Sequence, residues 1–297
     1  MVNRKPSERI RERNQNMKCF SVVIPAYNES AVIGRCIERL FEQQELDQIE
    51  IVVVPNGCHD DTAEIARGFG DRVTVIELEQ GSKINALNAG DKACTLFPRV
   101  YLDADIELSV DCLARCHDAL KNECLAVSPT AHFVTTDSGF IIRNFYDAWG
   151  RTPYHSDGHM LGSGFYAMSE EGRARFDWFP PIIADDGYAH QLFTRSERRT
   201  LTDCTFNVFA PKNIKGLIAI KTRARLGSLE LTAKGYAPRE KQGEGTTPGS
   251  MLTSLLRHPI SSSIYIVLKM ITQIRAKQQF KKRRFDVWER DESARGG

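Results

Sequence analysis

The chain has 297 residues, of which 41% are hydrophobic and 26% charged, and its formal net charge is +2. This composition supports a sizeable apolar core and excludes a low-complexity or intrinsically disordered chain. The small net charge hides an asymmetry: Cys19 to Gly245 carries 24 basic and 32 acidic residues, whereas Thr246 to Arg284 carries eight basic residues and no acid.

In chain order, Phe20 to Pro25 is an apolar run of β type. Ser30 is placed to cap the next helix, where Val32/Ile33, Cys36/Ile37 and Leu40/Phe41 recur at four-residue spacing. Ile49 to Val54 reads as a second strand closed by the turn Pro55-Asn56-Gly57, and Asp61 with Glu64 suits a capping box. A third strand is expected over Val73 to Leu78, a helix over Lys83 to Phe97 and a fourth strand over Val100 to Asp103. A helix capped by Ser109 and a fifth strand over Cys124 to Ser128 follow. Strand and helix alternate and the strands are apolar on both sides, which predicts an α/β fold with a doubly wound, mostly parallel sheet. Ligands of such sheets collect at the carboxyl ends of the strands. Those ends hold Tyr27-Asn28-Glu29, Asn56 and Asp103-Ala104-Asp105.

The second half is less regular. Gly158 to Met168 is glycine-rich and then β-like, a basic helix is expected over Ile218 to Leu226, and Arg239 to Ser250 reads as a loop. From Pro259, the residues Ile260, Ile264, Val267/Leu268, Ile271 and Ile274 form one apolar helical stripe. Lys269, Arg275, Lys277 and Lys281-Lys282-Arg283-Arg284 make that helix basic. Such a helix can lie on an anionic membrane surface or pack on its own domain.

Several residues could carry chemistry. On strand geometry Asp103 and Asp105 would point the same way, and two hard oxygen ligands suit Mg2+ or Mn2+ carrying a diphosphate. With 18 aspartates in the chain a lone D-x-D is weak, so its weight comes from the preceding apolar strand. Asp185 and Asp186 are adjacent acids; their repulsion can raise one pKa and create a general base, or one of them can cap a helix. Gly81-Ser82-Lys83 opens a helix where an anion could dock, but it is not a P-loop. Lys221, Arg223 and Arg225 could clamp a diphosphate or be surface charge. Eight cysteines without a C-x-x-C pair suggest reduced thiols; Cys112, Cys116 and His117 are a weak metal candidate.

In this order the motifs resemble those of the family-two glycosyltransferases across about residues 19–230. The matching pieces are Val22 to Glu29, Asn56 to Thr62, Gly81 to Gly90, Leu102 to Asp105, Gly162-Ser163-Gly164 and Ala184-Asp185-Asp186. The resemblance implies a GT-A fold, inverting transfer from a nucleotide-diphosphate sugar, and a divalent cation, Mn2+ or Mg2+. It would place Pro25, Ala26, Tyr27 and Glu29 against the nucleotide and Lys83 on the base or a phosphate. Asp103 would face the ribose side of the donor, Asp105 the metal, and Asp186 would be the acceptor base beside Asp185. Arg225 would assist the leaving diphosphate. Asn56 stands where the family pattern has an aspartate that reads the nucleobase, and Thr222 to Leu226 replaces the Q-x-x-R-W of processive synthases, so a non-processive enzyme is expected.

The expected organisation is a basic tail at 1–18, a glycosyltransferase domain at 19–230, a loop at 231–250 and a basic amphipathic helix and tail at 251–297. No signal-peptide core and no apolar run near the ~20 residues of a membrane span is visible. The expectation is therefore a cytoplasmic protein, peripheral at most on the inner membrane face, with a lipid-linked acceptor as one option. A sugar-phosphate nucleotidyltransferase would need a glycine-rich loop where Ala26-Tyr27-Asn28-Glu29 stands, and a non-catalytic nucleotide-sugar-binding module would not need both acidic pairs. The acidic body, without an aromatic stacking pattern, speaks against nucleic acid.

Overall fold

The computed structural model describes residues 17–156, 158–159, 161–236 and 257–282. Nearly all of the expected N-terminal tail, most of the 231–250 loop and Arg283-Arg284 lie outside the described residues. The strands are β1 (Cys19–Ala26), β2 (Gln48–Pro55), β3 (Val73–Val75), β4 (Arg99–Leu102), β5 (Ile106–Leu108), β6 (Ala126–Val134), β7 (Phe165–Met168) and β8 (Arg198–Phe209). They form one sheet in the order β3-β2-β1-β4-β7-β6-β8-β5. The helices are α1 (Ile33–Phe41), α2 (Thr62–Arg67), α3 (Lys83–Ala93), α4 (Cys112–Asn122), α5 (Phe140–Gly150), α6 (Pro153–Ser156), α7 (Glu170–Arg173), α8 (Asp185–Gln191), α9 (Ile214–Ala233) and α10 (Pro259–Lys281).

The first four strands are parallel, as their two-sided apolar runs require. Val22 and Ile24 face one way, onto Ile33, Ile37 and Leu40 of α1 and Leu113 of α4. Val23 faces the other way, onto Ile84 and Leu87 of α3, with Ala189 of α8 and Leu231 of α9 in the same layer. Ile24, Ile33 and Ile37 are fully buried, and each such side chain contributes ~2 kcal/mol of transfer free energy. The second half turns mixed: β7 is antiparallel to both β4 and β6, while β8 is parallel to β6 and carries β5. Because β7 reverses direction twice, β4 and β6 point the same way, and their carboxyl ends share one edge.

Several expected boundaries move for local reasons. Neither Ser30 nor Asp61 caps a helix through its side chain. Asp60 takes that work, accepting the Ser30 N–H at 3.0 Å and the Thr62 N–H at 3.2 Å, which ties the loop after β1 to the start of α2. Ser109 likewise leaves α4 uncapped and hydrogen-bonds Asp111 and the Thr205 N–H. The helix α3 stops at Ala93, where Cys94 is extended, ahead of the Phe97-Pro98 step that could not continue it. The third strand ends at Val75, and Leu78 returns only as a bridge to Asn56. Beneath the cleft, Asp91 on α3 receives Arg99 at 2.6 Å, Arg173 at 2.5 Å and the Tyr101 hydroxyl at 2.7 Å, which locks α3 to the sheet. No described helix is long and apolar enough to cross a membrane.

Candidate active site

Lys83 is the first residue of α3. Ser82 caps that helix by accepting the Asn85 N–H at 3.3 Å, and its own N–H donates to Asn56 Oδ1 at 2.9 Å. The Asn56 Nδ2 donates to the carbonyl oxygens of Ala26 at 2.8 Å and Val54 at 3.2 Å. Asn56 is 2% exposed. Its amide therefore holds the ends of β1 and β2 and the start of α3 together, at the edge where the family pattern has its nucleobase-reading aspartate. Pro25 and Ala26 are buried in β1 as the floor of this edge, whereas Tyr27 is partly exposed above it and packs near Gly81. Glu29 is buried, and its N–H donates to Thr62 Oγ1 at 2.7 Å.

From this platform the Lys83 ammonium reaches Asp103 Oδ1 at 2.7 Å and Asp185 Oδ1 at 3.0 Å. Asp185 is nearly fully buried at the start of α8 and also accepts the Tyr166 hydroxyl at 3.1 Å. Asp186, next in line, accepts the Gly187 N–H at 2.7 Å and the Ser163 N–H at 3.3 Å. Gly162 explains the second contact. Its φ is +119°, and a Cβ there would stand 2.6 Å from Asp186 Oδ2, so only glycine admits the carboxylate. Lys83, Asp103, Tyr166, Asp185 and Asp186 line one cleft with Leu87, Tyr101, Leu102 and Gly164.

Burial works against the Lys83 charge, but Asp103 and Asp185 outweigh it and push its pKa up. Burial, reinforced by the Asp185 charge, pushes Asp186 up from the ordinary aspartate value. The same two causes raise the Tyr166 hydroxyl, which therefore donates to Asp185 as a neutral phenol. The result is a site with one fixed cation, two carboxylates paired to it and a third whose pKa is raised.

Asp103-Ala104-Asp105 lies just beyond β4, with Ala104 buried between two partly exposed acids. The strand β4 ends at Leu102 and the triplet turns, with the Ile106 N–H donating to the Asp103 oxygen at 3.2 Å. Strand alternation does not apply in a turn. Asp103 lines the cleft, and Asp105, partly exposed, is not among its lining residues. No three carboxylates among the described residues gather into one coordination sphere. Hard oxygens from Asp103 and Asp105 still fit Mg2+ or Mn2+, which take one or two carboxylates and complete their shell with phosphate and water.

Arg225, on α9, is not brought to the cleft; its Nη1 lies 3.4 Å from Ser228 Oγ and its Nε is buried without a hydrogen bond. The cysteine candidate changes composition. The sulfurs of Cys112, Cys116 and Cys204 lie within 4.8 Å of one another inside the apolar core, and His117 is not in the group. Tyr166 escaped the sequence reading, because a tyrosine within Phe165–Met168 looks like core; Ser163 stands out there only within the Gly162-Ser163-Gly164 motif, since a backbone N–H contact leaves no mark in composition.

Residues 21–176 match the family described as Glycosyl transferase family 2. This chain belongs to that family. It is 32% identical over 202 residues to the 4,4'-diaponeurosporenoate glycosyltransferase of Staphylococcus aureus strain USA300, covering 64% of this chain and 50% of that protein. The chain thus spans about half the length of the curated relatives it matches. Among solved structures, the mannosyltransferase PcManGT from Pyrobaculum calidifontis, in complex with GDP-Man and Mn2+, aligns with a TM-score of 0.63 at 19% identity. That alignment covers 88% of this chain and 86% of that one. TarS 1-349 of S. aureus, in complex with UDP, aligns with a TM-score of 0.52 at 12% identity, covering 89% and 91%. The fold is GT-A, with the mixed sheet described above.

Proposed function

We propose that this family-two member transfers a sugar from a nucleotide-diphosphate donor to an acceptor hydroxyl, with inversion and without processive extension, in glycan or glycolipid synthesis. The observation that carries this reading is Asp186, half-buried in the cleft with a raised pKa, beside a lysine already held between Asp103 and Asp185. In the step, the acceptor oxygen attacks the anomeric carbon as the bond to the diphosphate oxygen breaks. The hydroxyl proton passes to Asp186, and the nucleoside diphosphate leaves with the bonding pair. Inversion follows from a single displacement. Asp186 is suited to this work because burial and the Asp185 charge make its carboxylate a stronger base than a solvated aspartate. The Lys83 ammonium holds Asp103 and Asp185 in place and supplies positive charge to the leaving group. Tyr27 and Glu29 stand on the nucleotide side. A divalent cation on Asp103 and Asp105, Mn2+ or Mg2+, would supply charge neutralisation of the diphosphate.

The test is Asp186→Asn. Transfer should fall by on the order of 10²–10⁴ while donor binding with Mn2+ persists; turnover near the wild-type value would refute the base assignment.

The helix α10 supports a peripheral membrane reading. It buries Ser261, Ser262, Leu268, Thr272 and Ala276 against the domain. It also exposes Ile260, Val267, Met270, Ile271 and Ile274. The expected single stripe is thus divided: Ile264 and Leu268 pack inward, and the others face out beside Lys269, Arg275, Lys277, Lys281 and Lys282. An exposed apolar ridge with basic flanks fits an anionic leaflet, which would bring the cleft near a lipid-linked acceptor.

A further inference from the structure

Away from the cleft carboxylates, α5, α6, α9 and the end of β6 enclose a second site, built from two nitrogen-bearing side chains and aromatic rings. The Lys221 ammonium on α9 lies 3.0 Å from the ring centre of Trp149, 5.1 Å from that of Tyr146 and 5.7 Å from that of Phe145. His155 stands edge-on to Trp149 at 4.3 Å and to Phe133 at 5.4 Å. Its Nε2 is buried without a hydrogen bond, and no acidic side chain among the described residues pairs with Lys221. Both residues nevertheless keep part of their surface accessible. Burial lowers the pKa of Lys221, and burial together with Lys221 lowers His155 to about 4. Two nitrogen bases are enclosed by rings, with no carboxylate among the described residues between them.

The location ties this box to the reaction. Phe133 is the next-to-last residue of β6, whose carboxyl end shares the edge of the sheet with that of β4 and Asp103. Six residues beyond Lys221, or ~9 Å along the helix, Gly227 meets the segment that carries the two acids; a Cβ there would be 2.8 Å from that of Ala184. So α9 links the box to Asp185 and Asp186.

We infer that the box formed by Phe145, Tyr146, Trp149, His155 and Lys221 binds a phosphate group of the acceptor and holds the acceptor beside Asp186. This rests on the transferase reading. An anion would pair with the lysine, take a hydrogen bond from the protonated His155 Nε2 and leave the rings to cover the neighbouring apolar or sugar carbons. A neutral acceptor would leave both groups unsatisfied.

Glycerol 3-phosphate, glycerol, and phosphatidylcholine vesicles with or without phosphatidic acid are titrated into the full-length protein, with tryptophan fluorescence as the readout. A phosphate-bearing probe should saturate the signal, and glycerol should not. Lys221→Met should weaken that binding at least about tenfold, Lys221→Arg should retain most of it, and His155→Phe, which keeps the ring packing, should weaken it severalfold. Lys221-dependent binding of glycerol 3-phosphate identifies a soluble phosphate as sufficient; Lys221-dependent binding of phosphatidic acid vesicles alone identifies a lipid headgroup. Binding that ignores both Lys221 and His155, or no binding of either phosphate probe, overturns the inference. Mn2+-dependent binding of GDP-mannose or UDP-N-acetylglucosamine to the wild type is measured alongside. Its failure would count against the donor site, whereas failure of the phosphate arm alone counts only against the acceptor box.

Discussion

Two lysines lie enclosed in this protein, and their surroundings are opposite. Lys83 sits between Asp103 and Asp185, which raise its pKa despite burial. Lys221 sits against three aromatic rings with no carboxylate partner among the described residues, and burial alone lowers its pKa. The cleft is electrostatically closed around its cation, whereas no acidic side chain among the described residues pairs with the lysine of the aromatic box. A charge already paired within the chain belongs to the architecture of a site, and a charge left unpaired at partial burial marks where a ligand completes it.

The largest effect that would break this contrast is at Lys83. Lys83→Ala leaves Asp185 buried beside Asp186 without its cation, and should cost about 3–5 kcal/mol, a fall in Tm of roughly 10 °C. Mn2+ with a nucleoside diphosphate should restore part of that loss in a thermal-shift assay. An unchanged Tm would mean the lysine does not hold the acids. The same assay on Lys221→Met, without ligand, should stay within about 1 kcal/mol of wild type, because the lost cation–π attraction and the relieved desolvation nearly offset each other. A loss as large as that at Lys83 would show that an acidic group already pairs Lys221.

The two lysines also differ in the sign of their pH dependence. Lys83 has a folded pKa above 10.5, so its contribution is fully present below 10.5 and is lost as pH rises through the folded value. Lys221 has a folded pKa below 10.5, so between the two values the unfolded chain binds the extra proton and stability rises with pH. Urea unfolding at about pH 8 and about pH 10 should therefore show wild type gaining stability relative to Lys221→Met. Parallel behaviour of the two proteins would mean that the ammonium keeps its charge in the box. The smallest effect is expected from changing Ile260, Val267 and Ile274 together to serine. These side chains are exposed, so the melting point should move little while flotation with anionic vesicles is lost. Undiminished flotation would remove α10 from the membrane reading.

The sequence by itself determined the β-α alternation of the first half, the polar carboxyl edge of its strands and the acids at that edge. These are local properties: apolar runs, turn residues and aspartates at strand ends show in consecutive positions. It also located the start of α10 at Pro259, since proline is favoured in a first helical turn. The tertiary structure alone decided that the Asn56 amide bonds to backbone, that Asp103 and Asp105 lie in a turn beyond β4, and that Cys204 rather than His117 joins Cys112 and Cys116. It also decided that Lys221 meets Trp149 across 72 residues of sequence. Each of these depends on which segments the folded sheet and helices bring side by side, and residue spacing along one element carries no record of a partner from another.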